Sequence, residues 1–149
     1  MKCLLTISLL LGLFVTKPVL ASADSICRKE PLACNIYFEA RGEQEKGQYA
    51  VAFVSMNRLK SGQYGKSMRS VVFAKDQFSW TNSRRSIKDQ EAFERARKVA
   101  EAVKTWSKDP EVYRKKDVTR GAKYFHKKGL RPGWNKKVVA RIGKHVFYG

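Results

Sequence analysis

The chain has 149 residues, with 31 lysines and arginines against 13 aspartates and glutamates and a formal net charge of +18. That length accommodates one domain and hardly two. The charge implies an anionic partner, whether nucleic acid, an anionic membrane face or an acidic polymer such as bacterial cell wall.

The first 23 residues read as a secretory signal. Lys2 gives a positive start, Leu4 to Thr16 is apolar apart from Thr6, Ser8 and Gly12, and Ala21-Ser22-Ala23 offers a cleavage site. The alternative is a membrane anchor, but Lys17 and Pro18 cut the apolar run short of a full span, so no stable anchor is expected. Removing 23 of the 149 residues takes two lysines and no acid, leaving 126 residues and a charge of +16. The remaining chain, 24–149, reads as one domain with no repeat or linker. Its expected location is the periplasm or the cell exterior. Export disfavours nucleic acid as the partner. Cys3 leaves with the signal, and Cys27 and Cys34 remain in an oxidising compartment, where a disulfide is the plain reading and two free thiols the alternative.

Pro31 suits the first turn of a helix that carries Leu32 to Phe38, with Gly42 as its stop and Glu39 in its last turn. A second helix is expected after Gly47. Its segment Tyr49-Ala50-Val51-Ala52-Phe53-Val54 is apolar on every side, as for a helix buried almost all round, and Gly62 caps it. A short helix is expected over Met68–Ala74. The clearest helix spans Lys88–Trp106, where Ala92, Phe93, Ala96, Val99, Ala100 and Val103 recur at three and four, and Asp109-Pro110 ends it. The last third is punctuated by glycines, and Tyr124-Phe125-His126 and His145-Val146-Phe147-Tyr148 read as strands or extended loops. The expected class is α+β, mainly α, with a small β element in the C-terminal third.

Glu39 follows the apolar run Ile36-Tyr37-Phe38. A carboxyl group among aromatic and aliphatic neighbours is costly to ionise, so it keeps its proton near neutral pH, as a general acid for glycosidic cleavage requires. The alternative is a surface glutamate paired with Arg41 or another arginine. Glu43 reads either as a second acid or as a carboxylate that offsets the dipole of the next helix. Asn57 falls on the buried stripe of its helix, where an amide needs partners. In Asp76-Gln77-Phe78-Ser79-Trp80-Thr81, aromatic and hydroxyl groups suit a sugar-binding groove, to which Tyr124, Trp134 and Tyr148 would add; core packing is the alternative for each aromatic. His126 and His145 are the only histidines, and the sequence has no H-E-x-x-H and no Cys/His metal spacing, so no metal or other cofactor is expected.

An ordered series of blocks resembles the SleB/CwlJ-type cell-wall hydrolases. These are Ile36 to Glu43, Gly47 to Arg58, Gln77-Phe78-Ser79-Trp80, Asp117 to His126, and Trp134 with Ile142 to Tyr148. The resemblance runs from about Leu32 to Tyr148. It implies a lysozyme-like, mainly helical catalytic domain, acting as a monomer on peptidoglycan as a muramidase of the lytic transglycosylase type. Glu39 is then the acid/base, and the implied substrate-binding residues are Glu43, Gln77, Phe78, Ser79, Trp80, Tyr124, His126 and Trp134. One carboxylate suffices, because the muramoyl C6 hydroxyl is the nucleophile. Two departures stand out. Lys75-Asp76 and Thr81-Asn82 occupy positions where many relatives carry cysteines, and Thr81 to Ser86 is unusually basic. The charge of +16 would stand in for a separate wall-binding domain. The competing readings are an amidase that cuts peptide from sugar, simple hydrolysis by water, and a non-catalytic basic wall-binding module.

Overall fold

The computed structural model describes residues 22–83 and 85–149. The leader reading therefore lies outside the described residues, apart from Ser22 and Ala23. Six helices come first: α1 (Ala23–Lys29), α2 (Pro31–Ala40), α3 (Glu45–Ser61), α4 (Met68–Val72), α5 (Gln90–Trp106) and α6 (Pro110–Lys116). A 3₁₀ turn, Ser79–Asn82, lies between α4 and α5. Three strands follow, β1 (Tyr124–Lys127), β2 (Val138–Ile142) and β3 (His145–Tyr148), in the order β1-β3-β2 with both pairings antiparallel. The domain is thus mainly helical with a small C-terminal sheet. Among the described residues, no helix is long and apolar enough to cross a membrane.

Local chemistry sets the helix ends. Pro31 opens α2, and Asp89 caps α5 by accepting the Ala92 N–H at 2.9 Å. Gly62 closes α3 with φ of 68°, a left-handed turn that glycine enters without steric cost. Helix α3 begins at Glu45, so Gly47 lies inside it rather than ahead of it. Asp109-Pro110 ends the segment after α5 and also starts α6: the Asp109 carboxylate accepts the N–H groups of Glu111 and Val112.

Helix α2 is the central element, with Leu32, Cys34, Ile36 and Tyr37 wholly buried among α3, α5 and the 3₁₀ turn. Helix α3 is apolar all round because it is covered on two sides. Ala52, Phe53 and Met56 face the main core, while Ala50 and Val54 pack on Ala122, Ile142 and Phe147 beneath the sheet. Each fully buried valine, isoleucine, methionine or phenylalanine side chain there contributes roughly 1.5–3 kcal/mol. The Cys27–Cys34 disulfide, with Cα atoms 5.5 Å apart, ties α1 to α2. Asn57 takes the structural place its burial demanded. Its amide donates to Asp117 Oδ2, Thr119 Oγ1 and Ala122 O and accepts from Tyr113 OH, joining α3 to the turn that leads into β1.

Candidate active site

Glu39 lies in the last turn of α2, where the helix emerges from the core into a cleft of two lobes. The larger lobe, about 790 Å³, is walled by Gln77, Phe78, Ser79, Tyr124, Phe125 and Trp134, among others. The smaller, about 480 Å³, lies over Phe38 and Trp80. Glu39, Ser79 and Lys127 line both lobes, so the carboxylate stands where they meet. A chain-like ligand laid along the cleft would cross Glu39 partway.

Burial raises the Glu39 pKa above its usual value, against the opposing pull of Lys127, Arg58 and Arg85. Among the described residues its carboxylate makes no hydrogen bond or ion pair. Arg41 is engaged elsewhere, donating to Tyr37 OH at 3.0 Å with its guanidinium 5.1 Å from that ring's centre. The local chemistry is that of a partly desolvated carboxylic acid, free to hand a proton to an oxygen held in the cleft.

Arg58 is the buried cation beside it. Its Nε–H donates to Lys123 O at 2.7 Å, and the guanidinium lies 5.2 Å from the Phe78 ring centre and 5.3 Å from that of Tyr64. Nη1 is buried without a partner, and desolvation lowers the Arg58 pKa. The Tyr64 and Tyr124 hydroxyls bond each other. Burial and that bond push the Tyr64 phenol up to about 12. Tyr124, Trp134, His126 and Tyr148 form an aromatic cluster, with Trp134 half-exposed on the rim and 5.8 Å from the His126 ring. His126 Nδ1 lies 2.7 Å from the Lys127 carbonyl oxygen and Nε2 lies 2.7 Å from Tyr148 OH.

Gln77, Phe78, Ser79, Tyr124, His126 and Trp134 therefore come together around Glu39 in the larger lobe. Trp80 belongs to the smaller lobe. It is largely buried, stacks on Phe38 at 4.7 Å and donates its indole N–H to Asn35. Glu43 lies outside both lobes. Its nearly buried carboxylate accepts the Lys144 N–H at 3.2 Å and sits 3.5 Å from His145 Nδ1, which ties the β2–β3 turn to the loop before α3. It thus anchors the β2–β3 turn from a position just ahead of the N-terminus of α3. Sequence reasoning did not select Arg58, Phe125 or Lys127. For Arg58 a signal existed: it lies four residues after Val54 and seven after Val51, so an arginine sits on a buried helical stripe. Among the described residues, no group of three or more His, Cys, Asp or Glu side chains is placed to hold a metal ion.

Comparison with known proteins gives a consistent set of likenesses. A family profile described as Cell Wall Hydrolase matches residues 42–148, a span that begins three residues after Glu39. A spore cortex-lytic enzyme of Bacillus subtilis (strain 168) is 31% identical over 124 residues, covering 78% of this chain and 35% of the relative. One from Oceanobacillus iheyensis is 30% identical over 123 residues, covering 78% and 39%. The chain thus spans little more than a third of the length of these curated relatives. Among solved structures, the catalytic domain of the Bacillus cereus SleB protein matches with a TM-score of 0.62 at 23% identity, over 82% of this chain and 89% of that one. The catalytic domain of the germination-specific lytic transglycosylase SleB from Bacillus anthracis matches with a TM-score of 0.59 at 24% identity, over 89% and 100%. At those identities the likeness is one of fold.

Proposed function

The chain belongs to the cell wall hydrolase family, and from that premise we propose that it cleaves peptidoglycan glycan strands as a lytic transglycosylase, with Glu39 as the single acid/base. The observation that carries this reading is the Glu39 carboxyl group itself: its pKa is raised by burial, it has no partner among the described residues, and it stands at the junction of the two lobes of an open cleft. Protonated Glu39 donates to the oxygen between N-acetylmuramic acid and N-acetylglucosamine, and the C1–O bond breaks as that oxygen leaves as an alcohol. The C6 hydroxyl of the muramoyl unit bonds to C1 and gives its proton to the Glu39 carboxylate. A 1,6-anhydro ring forms and the acid is restored. The names of the relatives, spore cortex-lytic enzyme and germination-specific lytic transglycosylase, support the same chemistry.

Tyr124 and Trp134 offer aromatic faces for sugar rings, Phe78 is a largely buried part of the wall, and Gln77 and Ser79 offer polar groups for sugar hydroxyls. The protein would act as a monomer outside the cytoplasm, delivered by cleavage after Ala23.

The test is mass spectrometry of soluble products from purified peptidoglycan, with the wild type and Glu39→Gln side by side. The wild type is expected to release anhydro-muropeptides, and the variant about 10² to 10⁴-fold less, the usual contribution of a general acid. Reducing muramic ends would keep Glu39 in its role but make the reaction a hydrolysis. Free peptides with intact glycan would replace the reading with an amidase. No product from either protein would leave a basic wall-binding module.

A further inference from the structure

The two lobes of the cleft differ in chemistry. The larger is mainly aromatic; its charged lining is Arg58, buried beneath rings, with Lys127, Arg131 and the acids Glu39 and Asp76. The smaller is lined by four cations, Arg41, Arg85, Lys88 and Lys127, against Glu39 as its one acid. None of the four makes an ion pair with a carboxylate among the described residues, and they converge on one concavity. Convergence of like charges in one concavity is unfavourable without an anion to offset it.

The fold holds the Arg41 guanidinium and the backbone at Lys88. Tyr37 is wholly buried, and its hydroxyl oxygen accepts from Arg41 Nη1 and from the backbone N–H groups of Lys88 and Asp89. Burial opposes the phenolate, yet these three donors and the guanidinium hold the Tyr37 pKa below its ordinary value. One oxygen thus fixes both the Arg41 side chain and the chain direction at Lys88, at the mouth of the smaller lobe. Arg85 is steadied by its Nε–H bond to Ser83 Oγ at 2.9 Å.

We infer that the smaller lobe binds the carboxylates of the stem peptide carried by a muramoyl residue next to the bond at Glu39. This rests on the cleft being a peptidoglycan site and adds a specificity: the enzyme reads peptide-bearing glycan in preference to bare glycan. Stem peptides branch from the lactyl group on C3 of the same muramoyl ring whose C1 is attacked, and they bear free carboxylates. Phe38 and Trp80 give that lobe an apolar floor, and the cations at its edge supply charge-assisted hydrogen bonds.

The test uses two soluble tetrasaccharides of alternating N-acetylglucosamine and N-acetylmuramic acid, one with tripeptide stems and one stripped of peptide by an amidase, with the lactyl carboxylates so exposed then capped as neutral methylamides. Turnover is compared for the full chain and for the double variant Arg41→Gln/Lys88→Gln, with circular dichroism to confirm folding. The wild type is expected to favour the peptide-bearing substrate in kcat/KM by about tenfold or more, the scale of lost charge-assisted bonds. The double variant should bring that ratio near one. Any change in Glu39 acidity acts on both substrates and cancels in the ratio. Equal turnover of the two by the wild type, with anhydro products formed, would overturn this inference and leave the proposed function standing. A preference that survives in the double variant would also overturn it. The same two tetrasaccharides are titrated onto Glu39→Gln, so that binding decides the matter even if neither is cleaved. Equal affinity there overturns the inference, while tighter binding of the peptide-bearing form sustains it.

Discussion

In the proposed reaction Glu39 acts first as an acid, so its proton must still be present at the working pH. Burial raises its pKa, and Lys127, Arg58 and Arg85 pull the other way. Activity should fall as pH rises through that raised value. Replacing Lys127 with glutamine removes an opposing charge, raises the Glu39 pKa further and moves the alkaline limb of the pH–rate profile to higher pH; a limb that stays in place would mean that another group sets it. A second residue-scale prediction concerns Gly143. Its φ is 54°, and a Cβ there would lie 2.1 Å from Glu43 Oε2. Gly143→Ala should therefore cost about 2 kcal/mol or more, read as a lower denaturation midpoint. His145, beside that turn, is almost wholly buried, and burial lowers its pKa below 6.5 in spite of the Glu43 carboxylate. The unfolded chain takes up the proton first as pH falls. His145 thus contributes stability that is complete above about 6.5 and is lost as pH drops through its lower folded value. His145→Phe should flatten that part of a melting-temperature profile. Glu39 was legible because the apolar run that desolvates it is its own sequence neighbour. The bond from the Lys144 N–H to Glu43 was not, because the two residues lie 101 positions apart. Lys127 reaches the site only through strand pairing, opposite His145.

The same distinction between local and distant causes holds for the elements. Helix α5 shows its apolar stripe within its own span, and α3 its uniform burial, so both were readable. Helix α6 was hidden because Asp109-Pro110 serves as a stop and a start at once. Strand β2 was hidden because Val138 is exposed and the segment pairs only with β3, across a register shift between Val138 and Ala140. Helix α1 was overlooked because its start overlaps the expected cleavage site: Ser22 caps it, accepting from the Ser25 N–H, and Ala23 is its first residue. Cleavage after Ala23 would remove that cap, worth about 1 kcal/mol. The Cys27–Cys34 bridge and the packing of Cys27 would then hold α1 on α2. Substituting both cysteines by alanine should lower stability by roughly 2 kcal/mol, since the loop they close is short. Unfolding of the oxidised protein and the double variant in denaturant measures it, and equal midpoints would show that α1 docks without the bridge.

At the scale of the whole molecule, charge is the dominant property. The chain carries +18, or +16 once residues 1–23 are gone, on a domain whose cleft needs only a few of those cations. The rest form a field that acts before contact. An insoluble anionic wall presents a surface to that field, whereas the short peptide-stripped tetrasaccharide with its lactyl carboxylates capped does not, so the two substrates should respond differently to salt. Between about 0.1 M and 1 M salt the Debye length shortens from about 10 Å to about 3 Å. Solubilisation of whole walls is expected to slow by about tenfold or more over that range, the scale of electrostatic steering. Turnover of the peptide-stripped tetrasaccharide should stay within about twofold, because the Glu39 carboxyl group is partly shielded from bulk ions. Lys98→Glu with Lys108→Glu reverses two charges outside both lobes and should slow wall digestion at low salt while sparing the small substrate. If both substrates lost rate together, salt would be acting on the site itself. If neither changed, the basic surface would have no part in reaching the wall, and the affinity for it would lie wholly in the cleft.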